Sequence, residues 1–532
     1  MTYIVDKNIR FRLTKQDIRC ILSIMFPGRF VSLCISVLVF FLSGTVLAQE
    51  FQSNIRVDDT GISDTNQSQP SLAVDDNGYI YTVWTDERNG HPDIYFARST
   101  DNGATFDANI KVNDDVLTAT HPALAIDGSG NILVVWQDER NGNPDIYFAR
   151  SADSGATFGA NVRVDDTGLA IGVQSAPVIG VHQGSNSIYV VWIDERDGAK
   201  HIYSAKSVNN GASFNANIQV DDISAITPDN PALAVDDNDN LYLAWKDERN
   251  GAPDIYSTQS FNGGADFETA VQVNDTSVSS EYPTIGVDSL NNIYIAWQDK
   301  RNGNYDIYCS KSTDDGSSFS ADVRVDDSGI ITSAQLAPRM VVDGLDGTIC
   351  IAWEDERNSN PDIYFSQSSN GGASFTLNIK IDDTGVATSS QIAPTLAIDS
   401  GTRYIYAAWA DNRREAGDTD IFFALNLNEA AASGSSGLGL NSSSNCFIAT
   451  AAYGTPMAQD VVVLRQFRDE YLLTSRLGRV SVDVYYAISP PIARVISRNE
   501  TLRRAVRGGL SPLVGFARWM ICHTDIKQGN SK

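Results

Sequence analysis

Hydrophobic and polar positions along the chain follow one pattern that recurs every 52 to 56 residues. In its first copy, a short apolar segment at 71–75 is followed by an Asp-Asn-Gly turn and by the almost continuously apolar segment 79–84. A polar loop at 85–93, the apolar segment 94–99, a second glycine-containing turn and the mixed segment 106–114 complete the copy. Short apolar runs bounded by Asn-Gly turns are typical of strands joined in hairpins, so each unit predicts four short antiparallel strands.

Seven tryptophans mark one position in the second predicted strand of successive units: Trp84, Trp136, Trp192, Trp245, Trp297, Trp353 and Trp409. Repeated four-stranded units are typical of the blades of a β-propeller, whereas a solenoid needs atypical capping repeats that are not found here. The fourth-strand sequence also occurs seven times, but its first copy, at 54–59, precedes the first tryptophan, and the last unit has none. We therefore predict an all-β, seven-bladed propeller over 49–424 whose N-terminal strand completes blade seven and leaves no open sheet edge.

The segment before the repeats has the composition of an export signal. Residues 1–30 are polar and basic, residues 31–44 are apolar, and Val46 and Ala48 stand at the positions that a signal peptidase favours. This predicts a signal peptide over 1–48 and an exported protein, either secreted, periplasmic or on the cell surface. A membrane anchor is the alternative, because the segment 31–48 is just long enough to span a bilayer.

The acidic charge of the chain is concentrated in the repeats. The whole chain of 532 residues has a net charge of −26, and residues 49–440 alone carry 22 Lys/Arg against 58 Asp/Glu. Nucleic-acid binding needs clustered cations, so this balance argues against it. The acidic surface is either simply solvated or binds divalent cations through its carboxylates. The sequence specifies no cofactor, and Ca²⁺ is the one that it allows.

Each predicted loop between the second and third strands carries the same pair of charged residues. An aspartate follows the tryptophan by two residues, at Asp86, Asp138, Asp194, Asp247, Asp299, Asp355 and Asp411. An arginine follows it by four, at Arg88, Arg140, Arg196, Arg249, Arg301, Arg357 and Arg413. An arginine between two aspartates of one loop is predicted to form a bidentate ion pair that holds the loop. The alternative is a ligand-binding role.

The ligand-binding alternative rests on topology, since these loops and the connections between blades share one face of a propeller. The candidate residues are then the seven arginines with Asp86, Asp138 and Asp194. Blade three adds His182 and His201, which replace aspartates of the other units. This pair forms either a site that titrates near neutrality or a harmless variation of the repeat.

The turn after the third strand occurs six times in the form STDNGATF, first at 99–106. It resembles the Asp-box of the sialidase or BNR-repeat superfamily, with Phe in place of the usual Trp. The acidic or amide position is Asp101, Asp153, Asn209, Asn262, Asp314 and Asn370. The resemblance implies a sialidase-like propeller in which these boxes are structural and lie on the face away from the active site. Seven blades and the lack of an FRIP-like string are departures from true sialidases.

The chain after the repeats divides into a linker, a basic module and a tail. Residues 425–445 are rich in Ser and Gly and predict a flexible linker. Residues 446–520, which contain CFIATAAYG, LRQFRDEYLL and LRRAVR, resemble the CFI-box C-terminal domain of exported bacterial proteins and predict a small α-helical domain before a tail at 521–532. The resemblance implies sorting or surface retention. Cys446 is a candidate for processing or attachment, and the basic charge suggests association with a membrane or the cell envelope.

Three functions are consistent with these features. The first is a non-catalytic binding or adhesion scaffold for a carbohydrate or a surface protein, which the regularity of the blades favours. The second is an exo-sialidase-type glycoside hydrolase, and the third is an inert structural repeat protein of the cell surface. A group of unlike residues on one face, with a Tyr–Glu contact and unpaired arginines, would favour the enzyme. No catalytic residues can be named from the sequence.

Overall fold

The computed structural model describes residues 51–60, 65–166, 172–222, 225–327, 333–383, 389–415 and 418–426. The chain divides into two units, of which one, Gln49–Ser433, contains all of these residues. The other unit comprises Met1–Ala48 and Gly434–Lys532. The predicted signal peptide, helical domain, tail and Cys446 therefore lie outside the described residues, as does the linker from residue 427 onward.

The described chain forms an all-β, seven-bladed propeller with four strands in each blade, as predicted. Blade 1 consists of β2 (Gln67–Val74), β3 (Ile80–Asp86), β4 (Asp93–Ser99) and β5 (Ile110–Lys111). Blade 2 consists of β6 (Ala119–Ile126), β7 (Ile132–Asp138), β8 (Asp145–Ser151) and β9 (Val162–Arg163). Blade 3 consists of β10 (Gln174–His182), β11 (Ser187–Asp194), β12 (His201–Ser207) and β13 (Ile218–Gln219).

The remaining blades follow the same order. Blade 4 consists of β14 (Asp229–Val235), β15 (Leu241–Asp247), β16 (Asp254–Ser260) and β17 (Val271–Gln272). Blade 5 consists of β18 (Ser280–Val287), β19 (Ile293–Asp299), β20 (Asp306–Ser312) and β21 (Val323–Arg324). Blade 6 consists of β22 (Gln335–Val342), β23 (Ile349–Asp355), β24 (Asp362–Ser368) and β25 (Ile379–Lys380). Blade 7 consists of β26 (Gln391–Asp399), β27 (Tyr404–Glu415), β28 (Asp418–Asn426) and β1 (Ile55–Arg56).

The N-terminal strand closes the ring, as the sequence predicts. Ile55 and Arg56 of β1 pair antiparallel with Phe423 and Phe422 of β28, and the Val57 amide donates to the Ile421 carbonyl at 2.8 Å. The first strand of each blade packs beside the first strand of the next, and β26 packs beside β2. Blade 7 is therefore assembled from both ends of the repeat region.

The tryptophans and their neighbours explain why the second strands form the core. All seven tryptophan side chains are fully buried, and each indole N–H donates to the aspartate two residues later at 2.8–3.2 Å. The indole thus buries a large apolar area while its polar atom keeps a partner, which removes the cost of burying it. Seven hydrophobic clusters result, each shared by adjacent blades.

The outer strands are shorter than predicted. Segment 106–114 was expected to be one strand, but only Ile110 and Lys111 pair with β4. On either side, the Asn109 side chain donates to the Val57 carbonyl of blade 7, and the Asn113 side chain donates to Asp93 of its own blade. Side-chain hydrogen bonds of this kind compete with a continuous ladder.

Candidate functional site

The strand order divides the loops between two faces of the ring. The hairpin loops between second and third strands and the connections between blades lie on one face, here called the loop face. The turns between first and second strands, and those between third and fourth strands, lie on the other, here called the turn face. The two faces are separated by the length of the strands, about 20 Å for seven residues.

On the loop face, the seven arginines join neighbouring blades. In blade 2, Nε and Nη2 of Arg140 donate to Asp138 at 2.8 and 2.7 Å, Nη1 donates to Asp114 of blade 1 at 2.7 Å, and Nη2 also donates to Asn161 at 2.9 Å. The guanidinium lies 4.1 Å from the centre of the Tyr147 ring. A charged, planar donor with several acceptors and an aromatic face is a strong and rigid contact.

The same contact recurs around the ring. Each of the seven arginines pairs with the aspartate of its own loop and with an aspartate that follows the outer strand of the preceding blade. Burial alone would raise the pKa of the Asp194 carboxyl, but hydrogen bonds from Arg196 and Trp192 outweigh this and hold the pKa below its ordinary value. These donors stabilise the ring, and a ligand-binding role for the arginines and for Asp86, Asp138 and Asp194 stays a prediction.

The two histidines of blade 3 do not form one site. His201 pairs in register with Asp194 at one end of β11, whereas His182 pairs with Ser187 at the other end. His182 therefore lies on the turn face, away from the arginines with which it was grouped. Its Nδ1 contacts the Ser185 hydroxyl at 2.7 Å, and Nδ1 of His201 contacts Asp221 at 2.8 Å. The spacing of 19 residues in the sequence could not show that the two imidazoles lie at opposite ends of the strands of blade 3.

The six turns at the predicted structural positions are held by their own side chains. Ser99 donates through Oγ to Asp101 at 2.8 Å, and Asp101 accepts the Thr105 amide at 2.9 Å. Asp153 and Asp314 do the same, and asparagine replaces the aspartate at Asn209, Asn262 and Asn370. Hydrogen bonds from the Thr157 side chain and amide, with one from Ser151, lower the pKa of the Asp153 carboxyl to about 2. All six turns lie on the turn face.

Sequence analysis missed a ring of residues at the inner edge of the loop face. In every blade, the residue before the proline of the first strand has a positive φ of 49–54° beside a β-bulge: Gln69, His121, Ala176, Asn230, Tyr282, Ala337 and Ala393. Non-glycine residues rarely adopt this conformation, and it recurs here seven times. The identity of the residue changes from blade to blade although its conformation does not. This variation at a fixed place in the repeat is the signal that could have found it.

Blades 5 and 6 bring a group of unlike side chains together at this inner edge. Tyr282 is 40% exposed, and its near neighbour Arg339 is exposed although the ring surrounds it. Nη1 of Arg339 donates to the Pro338 carbonyl at 3.0 Å, and no carboxylate of the described residues lies within ion-pair distance. Enclosure by the surrounding blades lowers the pKa of Arg339, whereas the nearby Glu354 and Tyr282 act in the opposite direction. Arginine remains a cation at neutral pH.

Glu354 belongs to the same group. Its Oε1 accepts the Ala393 amide at 2.7 Å, which holds the strained residue of the next blade. Burial raises the pKa of Glu354, which the Ala393 hydrogen bond and the charge of Arg339 oppose. This carboxyl therefore lies beside the cation without forming a close pair with it.

A Tyr–Glu contact extends the group in blade 5. The hydroxyl of Tyr305 donates to Oε1 of Glu281 at 3.0 Å, and Ser279 donates to the same oxygen at 2.7 Å. Four other blades have proline at the position of Tyr305: Pro92, Pro144, Pro253 and Pro361. Burial raises the pKa of Tyr305, and its carboxylate partner adds to the effect, so the phenol is neutral at physiological pH.

We call Glu281, Tyr282, Tyr305, Arg339 and Glu354 the inner polar cluster. It offers a cation, two carboxyl groups and two phenols within one region of the loop face, where none of these residues repeats around the ring. Such a set can bind a polar ligand by donating hydrogen bonds to it, by accepting hydrogen bonds from it and by aromatic contact. Next to it, the first strands of blades 1, 5, 6 and 7 line an open cavity of about 330 Å³.

Among the described residues, no group of three or more His, Cys, Asp or Glu side chains is arranged to hold a metal ion, and calcium binding stays a prediction. Within the same part of the chain, no helix has the length and apolar character needed to cross a bilayer.

Comparison with known proteins identifies the fold. No protein-family model matches the chain, and no curated protein matches it. Its structural neighbours are sialidase-like and related glycoside hydrolase and lyase propellers. An ulvan lyase bound to a glucuronate–sulfated rhamnose unit has a TM-score of 0.50 at 13% identity, over 70% of this chain and 95% of that one.

Two other solved structures are similar to this chain to a lesser degree. An α-L-arabinanase of Penicillium chrysogenum has a TM-score of 0.44 at 15% identity, over 71% of this chain and 99% of that one. A Hadza microbial sialidase has a TM-score of 0.41 at 13% identity, over 66% and 74%. At these identities the likeness shows a shared propeller fold alone.

Proposed function

We propose that this is an exported carbohydrate-binding propeller that holds a polar glycan at the inner polar cluster. The cluster itself carries the proposal, because it joins unlike, chemically active side chains at one place on the loop face and includes a cation, Arg339, without a close carboxylate partner among the described residues. Glycans are bound by hydrogen bonds to hydroxyls together with contact to aromatic rings, and the cluster supplies both kinds of group. The neighbours that act on ulvan, arabinan and sialosides support the choice of ligand class.

The second candidate is a glycoside hydrolase of the sialidase type, and the Tyr305–Glu281 contact favours it. A carboxylate beside a phenol can activate the phenol oxygen as a nucleophile. The arginines weigh against it. Among the described residues, the seven arginines that follow the tryptophans are held in carboxylate pairs that join the blades. Four further arginines pair with aspartates of their own blade: Arg56, Arg163, Arg324 and Arg414. We therefore favour the binding function over the hydrolase.

The deciding experiment uses the purified full chain and a panel of sialylated, uronate-containing and neutral oligosaccharides, with Ca²⁺ present. Binding is measured by calorimetry and product release by mass spectrometry. Binding without release, lost in Tyr282→Ala or Arg339→Ala but kept in Arg403→Ala, supports the proposal. Arg403 is a matched control, since it pairs with Asp346 at 3.0 Å on the turn face.

The other outcomes separate the alternatives. Release of a monosaccharide that Tyr305→Phe abolishes would make the protein a hydrolase. If the panel shows no binding and no release, the carbohydrate proposal is overturned for this panel, and the inert structural ring is favoured. A surface-protein partner, and envelope association through the basic C-terminal module, stay predictions.

A further inference from the structure

The contact between blades 4 and 5 differs from the other contacts between blades at one side chain. Five blades have asparagine just before the outer strand: Asn54, Asn109, Asn161, Asn217 and Asn378. Blade 5 has Asp322 at this position, and blade 4 has Ala270. The change from amide to carboxyl alters the hydrogen-bonding chemistry without altering the shape of the side chain.

The asparagines show what the position requires. In blade 2, Oδ1 of Asn161 accepts the Asp114 amide at 2.8 Å and the Arg140 guanidinium at 2.9 Å. Its Nδ2 donates to the Val112 carbonyl of blade 1 at 3.4 Å. The other four asparagines make the same donation to the preceding blade at 3.3–3.4 Å. One side-chain atom must therefore accept two hydrogen bonds while the other donates one.

Asp322 makes the two accepting contacts in the same way. Its Oδ2 accepts the Asp275 amide at 3.1 Å and the Arg301 guanidinium at 2.5 Å. Its Oδ1 takes the place of the amide nitrogen, is buried, and has no hydrogen-bond partner among the described residues. The corresponding acceptor in blade 4 is the carbonyl of Val273. If Asp322 were ionised, its Oδ1 and the Val273 carbonyl would both be acceptors and could not form a hydrogen bond. A protonated Asp322 carboxyl can donate to this carbonyl.

The charges around Asp322 also favour a proton. Arg301 faces three carboxyl groups, Asp299, Asp275 and Asp322, whereas its counterparts in blades with asparagine face two. The Asp322 side chain is fully buried. Burial and the neighbouring Asp275 carboxyl raise the pKa of Asp322 to about 7.

The other titratable group in range is the buried thiol of Cys309 on β20, which burial keeps neutral by raising its pKa. The ring of Tyr308 on the same strand packs 3.9 Å from the Arg301 guanidinium. No second cation among the described residues lies within ion-pair distance to offset the extra carboxylate.

We propose that Asp322 is a positioning residue that, when protonated, joins blades 4 and 5 and holds the 300–305 loop, and that progressively releases this loop as the pH rises to neutrality. The loop begins beside Arg301 and ends at Tyr305, which contacts Glu281 of the inner polar cluster. Asp322 therefore acts on the cluster through Arg301. The effect on ligand binding rests on the proposed function, but the effect on the loop does not.

The direction of the pH effect follows from the coupling between proton binding and loop opening. Because the folded protein binds this proton more tightly than the open form does, the stabilisation is complete below the ordinary aspartate pKa of 3.8 and is lost as the pH rises to about 7. Between pH 6 and 8, the equilibrium constant for opening should rise about tenfold in the native chain relative to a variant without this carboxyl.

The test compares the full native chain with Asp322→Asn, which restores the residue of five other blades. Hydrogen exchange of residues 300–305 and of the Asp275 amide is followed from pH 5 to 8 after correction for intrinsic exchange. We expect protection in the native chain to fall about tenfold between pH 6 and 8, and protection in Asp322→Asn to stay flat. Equal slopes in the two proteins would overturn the proposal.

Two further measurements keep the outcome clear. The Asp322 carboxylic acid should give an infrared carbonyl band at pH 6 that disappears by pH 8 and is missing in Asp322→Asn; a band that is missing at pH 6 would also overturn the proposal. Asn378→Asp should create the same pH dependence between blades 5 and 6. If no oligosaccharide of the panel binds, the carbohydrate proposal fails while the exchange data still decide the role of Asp322.

Discussion

Arginine four residues after each tryptophan shows how one residue type can serve the fold at seven places. In blade 2 its charge lies between the buried Asp138 and the partly exposed Asp114 of the preceding blade, whose side chains are 1% and 52% exposed. Sequence spacing predicted the pair with Asp138. It could not show that the same guanidinium also joins the neighbouring blade, because Asp114 comes from a distant part of the repeat.

Removal of one such arginine should destabilise the ring strongly. Arg140→Met leaves Asp138 buried with the tryptophan N–H as its remaining side-chain donor, so we expect a loss of about 2 to 4 kcal/mol in the free energy of unfolding. Urea denaturation followed by tryptophan fluorescence measures it. Arg403→Met is the matched control, because its pair with Asp346 is 43% and 31% exposed and should contribute less than about 1 kcal/mol. Equal losses in the two variants would refute this account of the arginine ring.

Glycine in the two loops that flank the third strand of blade 2 has two separate functions. Gly155 has φ +85°, and an added Cβ would lie 2.3 Å from the Phe96 ring of blade 1. Gly142 has φ +95°, but a Cβ there would meet nothing within 4 Å. The first residue is required by conformation and by packing, and the second by conformation alone.

This difference predicts unequal effects of alanine. Gly142→Ala should cost about 1 kcal/mol, from positive φ. Gly155→Ala should cost about 1 to 3 kcal/mol more, because Phe96 has to move in a close-packed contact between blades. Thermal unfolding of both variants measures the difference. A Gly155→Ala protein as stable as Gly142→Ala would show that the contact between blades relaxes without cost.

At the scale of elements, the strand pattern was predictable because each blade repeats one alternation of apolar segments and turns. The number of blades and the place of β1 followed from counting second and fourth strands. The extent of the outer strands did not, because it depends on which side chains beside Ile110 find partners in the preceding blade. The β-bulge before each inner proline was likewise decided by contacts around the ring.

The closing strand should matter more than an equivalent strand within a blade. Val57→Pro and Val112→Pro each remove an amide that donates to the third strand at 2.8 Å. Residue 112 is tied to β4 by a short turn, whereas residue 57 reaches β28 across the entire ring, so lost pairing there opens the ring. We expect Val57→Pro to lower the melting temperature further and to promote aggregation through the freed edge of β28.

Differential scanning calorimetry and size-exclusion chromatography of the two proline variants decide the point. The same melting temperature and the same monomer fraction would show that ring closure does not depend on β1. A larger fall in melting temperature for Val112→Pro than for Val57→Pro would also show that ring closure does not depend on β1.

At the scale of the whole molecule, the acidic excess works against compactness. The chain has a net charge of −26, and repulsion among like charges is screened within about 8 to 10 Å at physiological salt. We expect the melting temperature to rise by a few degrees between 0.01 and 0.15 M NaCl. A fall would mean that salt weakens the ion pairs of the arginine ring more than it relieves the overall repulsion.

The candidate site belongs to this scale as well, which explains why the sequence did not show it. Tyr282, Arg339 and Glu354 come from three strands of two blades, and Tyr305 comes from a loop. They meet because blades 5 and 6 pack side by side. Each is inconspicuous in its own repeat. The arginines, by contrast, were conspicuous through repetition, and repetition marked them as parts of the framework.

The sequence by itself determined the blade count, the four-stranded unit, the closure by β1 and the structural turns, because these depend on local alternation and on residues that recur at a fixed spacing. The tertiary structure alone decided that the arginines join neighbouring blades, that His182 and His201 lie on opposite faces, and that unlike residues of blades 5 and 6 form one cluster. It also decided that Asp322 occupies an amide position. The physical reason is that these properties depend on contacts between blades, and no spacing within one repeat records them.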